Sequence, residues 1–398
     1  MAASIKIGRI FGVPIYLHLT FLIILPLFIY VFSDPPNQVT ILGLALSFKE
    51  LDASQTVKYA FGTIAAIIFF VTVLLHELAH SYLALKYGVK IKGITLMVFG
   101  GVSQMEEMPR LPRQEWRMAF AGPMTSLVTG LASWLGWFLL DATDPSSVAV
   151  QGITILLGIM ALYNVLLAGF NLIPAFPMDG GRVLRAYFAL RMNFLEATRK
   201  AARVGRYFAL GMAIYGIFTF NFFLIIIALF VYIGATEEEQ ATTISESLSG
   251  VKVGRVMSTQ VRTVHPDMSV QELHDLILTT RFMGFPVVEN DALVGIVTLS
   301  DTHKVPRDGT GTARVRDIMT KKVMTATPDM DAAKALFMMS ELKIGRLVVL
   351  ENGKLAGIVT QKDLLRTVDM ILARRQTLWG APRQAAPQPQ APPPPPTF

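Results

Sequence analysis

The residues His76-Glu77-Leu78-Ala79-His80 stand inside an apolar run that extends from about Tyr59 to Leu85. Three ionisable side chains within five positions are expensive at membrane depth, and there they default to a functional role. On a helix, residues i and i+4 share a face. Two imidazoles so placed can hold one zinc ion, and the glutamate beside the first can take a proton from water on that metal. The alternative is two buried histidines satisfied by backbone carbonyls. The cost of three such groups in one apolar helix argues against it.

The rest of the N-terminal half is apolar as well. Val13 to Phe32 is twenty residues without a charge, enough to cross a bilayer core and too long for a signal-peptide core. Further runs cover Met118–Leu140, Val148–Leu172 and Tyr207–Ala235. The last is long for one span and short for two, with Asn221 at its middle where a turn fits. Two loops are basic, Lys86–Arg117 and Arg182–Arg206, whereas Asp141 and Asp144 follow the third run. Basic loops stay cytoplasmic, which puts the N-terminus inside. Six spans return residues 236 onward to the cytoplasm, and five leave them outside. Charged residues are only 16% of the chain, against about 25% in an ordinary soluble domain. The net charge of +7 is therefore read as this topological bias, and no nucleic-acid partner is expected. The chain has no cysteine, which excludes disulfides and thiolate zinc sites. A metal must sit on His, Asp or Glu.

Catalytic zinc sites usually take three protein ligands and leave one position to water. Of the remaining histidines, His265, His274 and His303 lie far along the chain and only His18 is in the apolar half. His18 reads best as an interfacial residue near the end of the first run, the other reading being a substrate gate. The segment Asn171-Leu-Ile-Pro-Ala-Phe-Pro-Met-Asp179-Gly-Gly-Arg182 offers a carboxylate where two prolines break a helix. Irregular backbone at membrane depth is tolerated where it lines a cavity. Asp179 is thus the best third ligand. The alternative is a loop aspartate that pairs with Arg182 or caps the segment 180–191.

HELAH in an apolar helix, followed about a hundred residues later by NLIPAFPMDGGR, resembles the site-2 protease family of intramembrane zinc metalloproteases. The resemblance covers about residues 5 to 235. It implies zinc on His76, His80 and Asp179, Glu77 as general base, and Asn171 contacting the scissile carbonyl or its oxyanion. The implied reaction is hydrolysis of peptide bonds in or near transmembrane segments of membrane-anchored substrates, with zinc-bound water as nucleophile. Phe99-Gly100-Gly101-Val102 is similar to the family's membrane-associated strand region, and strand pairing along 92–104 could hold an unwound substrate. Ala121-Gly122-Pro123 also fits, although Ser126 stands where many members have asparagine, a departure that bears on helix packing. No loop has room for an inserted PDZ-like domain.

From Val251 to about Met370 the chain repeats itself. GRVMSTQVRTVHPDMSVQE (254–272) matches VRDIMTKKVMTATPDMDAA (315–333), and GFPVVENDALVGIVTLSD (284–301) matches GRLVVLENGKLAGIVTQKD (345–363). The copies lie about 251–305 and 312–370 and read as strand, helix, strand, turn, strand, helix. This pair resembles a tandem CBS domain, which implies an adenine nucleotide (ATP, ADP or AMP) near Thr298, Asp301, Thr360 and Asp363, and a homodimer formed through the pair. The same Thr and Asp residues could instead simply cap the last helix of each copy.

The expected architecture is thus a polytopic α-helical membrane domain of about six helices (1–235), a linker (236–250), a soluble α/β tandem CBS domain (251–370) and a Pro-rich disordered tail (371–398). The expected function is a regulated zinc endopeptidase of the cell membrane, with the N-terminus and the CBS pair in the cytoplasm. A nucleotide-gated transporter and an inactive membrane adaptor are the competing classes. Transport does not need the pairing of HExxH with a downstream Asp-Gly, and an adaptor has no use for Glu77.

Overall fold

The computed structural model describes residues 4–36, 40–41, 44–97, 100–105, 111–143, 147–305 and 312–380. The chain divides into two compact units, Met1–Gln240 and Ala241–Phe398.

The first unit begins with a hairpin of β1 (Ser4–Ile10) and β2 (Val13–His18). Its two-residue turn has positive φ at both Phe11 (51°) and Gly12 (80°), the geometry that matches strand twist. Helix α1 (Phe21–Ser33) follows, then the short pair β3 (Thr40–Ile41) and β4 (Leu44–Ala45), and the long helix α2 (Gln55–Lys86). A second hairpin, β5 (Ile91–Met97) and β6 (Gly100–Met105), joins the first in a sheet ordered β1-β2-β5-β6. Helices α3 (Pro112–Asp141), α4 (Val148–Asn171), α5 (Asp179–Ala189), α6 (Phe194–Phe218) and α7 (Phe222–Leu248) complete the series.

The uncharged run Val13–Phe32 is therefore not one helical span. Its first six residues pair with strands on both sides, β2 lying antiparallel to β1 and parallel to β5. Val13 and Ile15 turn into the core, whereas helix α1 buries Phe21 and Phe32 and leaves Leu22, Ile23 and Leu27 exposed, so the run is apolar for two different reasons. Helix α1 has 13 residues, about 20 Å at 1.5 Å per residue, short of a core of about 30 Å. Among the described residues, α2, α3 and α4 are the helices long and apolar enough to cross a membrane. The run 207–235 turns between α6 and α7, where Phe220 takes φ 53° and the Asn221 side chain accepts from Leu224 N at 3.1 Å.

The packing between α1, α2 and α4 is aromatic. Phe28 stacks on Phe69 with ring centroids 5.1 Å apart, and Phe32 meets Tyr163 edge-on at 5.0 Å. This core fixes α2, and with it the HELAH segment. The expected linker 236–250 is helical through Leu248, because Glu238 and Glu239 find arginines (Arg185 and Arg206) rather than solvent.

The second unit carries the repeat. Its first copy has α8 (Val270–Thr280), β7 (Gly284–Glu289), β8 (Ala292–Thr298) and α9 (Leu299–Thr302). Then come α10 (Val315–Ile318) and β9 (Thr325–Ala326), followed by α11 (Ala332–Leu342), β10 (Arg346–Glu351), β11 (Lys354–Thr360) and α12 (Gln361–Gly380). The copies exchange contacts reciprocally. Ser258 N donates to Ile358 O and Thr320 N donates to Ile296 O, each at 2.9 Å. A side chain at Gly295 would strike Met319, and one at Gly357 would strike Met257, which explains a glycine at that place in both copies. Residues 371–380, expected in the tail, continue α12, and 381–398 lie outside the described residues.

Candidate metal centre and nucleotide pocket

Helix α2 brings His76 and His80 to one buried face, 3% and 4% exposed. Asp179 is the first residue of α5, delivered by the loop of residues 172–178, and is 8% exposed. The three residues converge. His76 Nε2 and His80 Nε2 are 3.2 Å apart, and Asp179 Oδ2 lies 3.2 Å from the first and 3.0 Å from the second.

The opposite nitrogens say which atoms are free. His80 Nδ1 donates to the carbonyl of Met118 at 2.7 Å, so in the neutral ring Nε2 carries a lone pair. His76 Nδ1 lies 2.9 Å from Ser126 Oγ. Both partners belong to α3. This is the arrangement that orients metal-binding imidazoles, with one nitrogen engaged and the other aimed. Two imidazole nitrogens and a carboxylate oxygen converging in an apolar bundle form a group that can hold a metal ion. Tetrahedral zinc at about 2.0–2.1 Å from each ligand needs ligand edges of about 3.3 Å, close to those found. The donor set fits zinc.

Glycines keep the space open. A Cβ at Gly122 of α3 would collide with His80 Nε2 and come within 2.6 Å of His76 Nε2. A Cβ at Gly101 of β6 would strike Glu77 Cγ. Strand β6 therefore lies directly on the glutamate, and Ser103 Oγ, two residues on, meets Ser81 Oγ of α2 at 3.0 Å. Strand β6 is also an edge of its sheet.

Asn171 ends α4, and its side chain donates to Leu167 O at 2.9 Å. His18 ends β2 beside Thr20, with Nδ1 2.9 Å from Thr20 Oγ1. Phe99 lies outside the described residues. Ser126, expected to bear on helix packing, also places its hydroxyl 2.9 Å from the His76 ring. Gly122 stands out in the sequence only as part of Ala121-Gly122-Pro123. The signal for both was their spacing from Met118 on one face of α3.

In the second unit both Thr-Asp pairs form reciprocal caps. Asp301 Oδ2 accepts from Thr298 N and Oγ1 at 2.9 and 2.7 Å, and Asp363 Oδ2 from Thr360 N and Oγ1 at 3.1 and 2.6 Å. They differ in surroundings. Lys304 Nζ lies 2.6 Å from Asp301 Oδ1. Thr360 and Asp363 instead line a cavity of about 1240 Å³ that also receives Arg262, Arg281, Arg346 and Arg366. Burial holds the Arg346 guanidinium below its usual pKa. A side chain at Gly284 would occupy the place of that guanidinium.

The model of peptidase family M50 matches residues 64–143 and 139–214, and that of the CBS domain matches 253–305 and 315–369. The chain is 37% identical over 371 residues to a zinc metalloprotease of Methanocaldococcus jannaschii, covering 93% of this chain and 98% of the relative. It is similar to the solved site-2 protease from Methanocaldococcus jannaschii at 36% identity, over 59% of this chain and 95% of that one, with a TM-score of 0.40. Over 117 residues it is 36% identical to an inosine-5'-monophosphate dehydrogenase of the same organism, covering 29% of this chain and 23% of that one.

Proposed function

The chain belongs to peptidase family M50, the site-2 proteases, as a zinc metalloprotease that carries a CBS pair, and from that premise we propose how it works. His76, His80 and Asp179 hold the zinc, and Glu77 is the general base. The observation that carries this reading is the convergence of three acceptor atoms at 3.0–3.2 Å beside Glu77 within an apolar bundle.

When bound, zinc supplies a Lewis acid that makes a nucleophile available from water at neutral pH. Glu77 takes the proton of the attacking water and returns it to the leaving amine. The substrate is a membrane-anchored protein cut in or near its transmembrane segment. Its helix must unwind first, since helical carbonyls are engaged within the helix. The β6 edge beside Glu77 accepts the unwound segment as an added strand. Asn171 retains one amide hydrogen beyond the bond to Leu167 and donates it to the developing oxyanion.

The CBS pair modulates this activity by binding an adenine nucleotide in the cavity of Thr360 and Asp363. Four guanidinium groups there suit phosphates, and a carboxylate suits ribose hydroxyls. Thr298 and Asp301 form the matching pair in the other copy. A homodimer forms through the CBS pair. The protease domain spans 1–235 and the CBS domain 251–370, with the N-terminus, the basic loops and the CBS pair on the cytoplasmic side of the cell membrane.

The test is cleavage of a single-span reporter by purified protein in lipid, comparing wild type with Glu77→Gln and measuring zinc on the same samples. Zinc near one per chain in both, with cleavage by wild type only, is expected. Equal cleavage by the variant would remove Glu77 from its role. Wild type without zinc would overturn the ligand set.

A further inference from the structure

We propose that Arg185 is a positioning residue which, through Glu115 and Glu238, fixes Asp179 against the two histidines and so sets how tightly the triad keeps its metal. The inference rests on the metal reading of His76, His80 and Asp179.

The three ligands come from two helices, and both are registered against one face of α3. For α2 the registration is made by hydrogen bonds. Met118 O takes the proton of His80 Nδ1, Ser126 Oγ meets His76 Nδ1, and Gly122 between them leaves room for the ligand atoms. For α5 it is made by an ion pair. Arg185 Nε donates to Glu115 Oε1 at 2.7 Å, and Nη2 lies 2.6 Å from the same oxygen. Glu115 is three residues before Met118, so it shares the face on which the histidine contacts are made.

Helix α5 begins at Asp179 and has only 11 residues, so a slide or tilt of α5 moves the ligand with it. Metal sites tolerate errors of about 0.2 Å in ligand distance. The ion pair is built to resist such motion. Arg185 is 1% exposed and Glu115 is 0% exposed. The guanidinium also covers the rings of Phe176 at 5.0 Å and Phe194 at 4.8 Å. Phe176 belongs to the loop that delivers Asp179, so Arg185 grips the ligand's own approach as well as its helix.

The third partner is Glu238 of α7. It accepts from Arg185 Nη1 at 2.5 Å, and its side chain is 33% exposed against 0% for Glu115. Helix α7 also backs the delivering loop. A side chain at Gly234 would come within 2.6 Å of Pro177, and Ala235 packs with Phe176. Glu238 thus ties α7 to the guanidinium that holds α5 in register.

The experiment is the rate at which the full-length protein in lipid, loaded with one zinc per chain, releases the metal to an excess of chelator. Arg185→Lys keeps the charge and loses the planar fork. It is expected to speed release by about 10–100-fold, the range seen when partners of metal ligands are altered. Glu238→Gln keeps the oxygen and loses the charge, and is expected to speed release by about 3–10-fold, below that range. Gly136→Ala, whose Cβ would meet Leu157 at 3.2 Å, is the control for a general disturbance of helix packing and should leave release unchanged. Unaltered release in both Arg185→Lys and Glu238→Gln overturns the positioning role, as does equal acceleration in the control. If Arg185→Lys does not fold, Glu238→Gln decides alone. Wild type that holds no zinc fails the metal reading itself, a result distinct from zinc that is held and released at one rate throughout.

Discussion

In the first unit, His76 Nε2, His80 Nε2 and Asp179 Oδ2 converge on a common point, while the other ring nitrogen of each histidine is engaged by α3. In the second, Asp301 and Asp363 turn onto the Thr three residues before them and close a cap. Both arrangements gather carboxylates with hydrogen-bonding partners. One converges on a point that a metal ion can occupy, and the other closes on itself. A buried cluster of two imidazoles and a carboxylate in an apolar bundle calls for a function to account for it, whereas a cap is already accounted for by the helix it starts. The nucleotide reading of the repeat accordingly leans on the arginine-lined cavity, and the metal reading of the triad stands on the triad.

The strongest way to break this contrast is to fill the space the ligand needs. Gly122→Ala puts a methyl group against both ligand nitrogens. Zinc content should fall from about one per chain to near zero, with helical content retained, as measured by metal analysis and circular dichroism. Gly169→Ala, on α4 with nothing within 4 Å of its Cβ, should keep its metal. Full zinc occupancy in Gly122→Ala would mean that the metal does not sit among these atoms.

A smaller effect is expected from Ser126→Ala. It removes the oxygen 2.9 Å from His76 Nδ1 and leaves all three ligands in place. Zinc affinity should drop by about 10–100-fold. Competition with a chelator measures it, and an unchanged affinity would return Ser126 to packing alone.

These residues also mark how far the sequence could be read. HELAH was legible because two histidines at i and i+4 have few other uses in an apolar helix. Asp179 was legible from the prolines and glycines around it. The span Val13–Phe32 was misread because a strand buried on its sheet is as apolar as a membrane helix, and only pairing with β1 and β5 separates them. The ion pairs of Arg185 were not legible at all. Their partners lie 70 and 53 positions away, and no local pattern connects residues at such separations. The repeat was legible throughout, since its two copies confirm one another: Asn290 and Asn352, 62 positions apart, both take the positive φ of a hairpin turn, 50° and 51°.

The two copies sharpen the contrast further. Asp363→Ala and Asp301→Ala each remove a cap, and each should cost about 1 kcal/mol of stability in a thermal or denaturant titration. Only Asp363 lines the cavity with the arginines. Binding of ATP to the full-length protein should therefore weaken by roughly tenfold, the loss of one charge-assisted hydrogen bond, in Asp363→Ala and change little in Asp301→Ala. Equal losses in both would mean that the two Thr-Asp pairs serve one ligand each.

The smallest effect is one of pH, and its sign follows from the cap. Burial pushes the Asp301 carboxyl up, but Lys304 and the Thr298 donors outweigh it and hold the group below its usual value. A carboxylate depressed by folding stabilises the fold above its unfolded pKa of about 3.9, and that contribution fades as pH falls through the folded value. The stability gap between wild type and Asp301→Asn should therefore be full near pH 6 and shrink below about pH 4. Lys304→Met should reduce the gap at pH 6, because it removes the ion pair and leaves the cap. A gap that stays constant from pH 6 to pH 3 would show that the cap works by geometry alone, with no part played by the charge of Asp301.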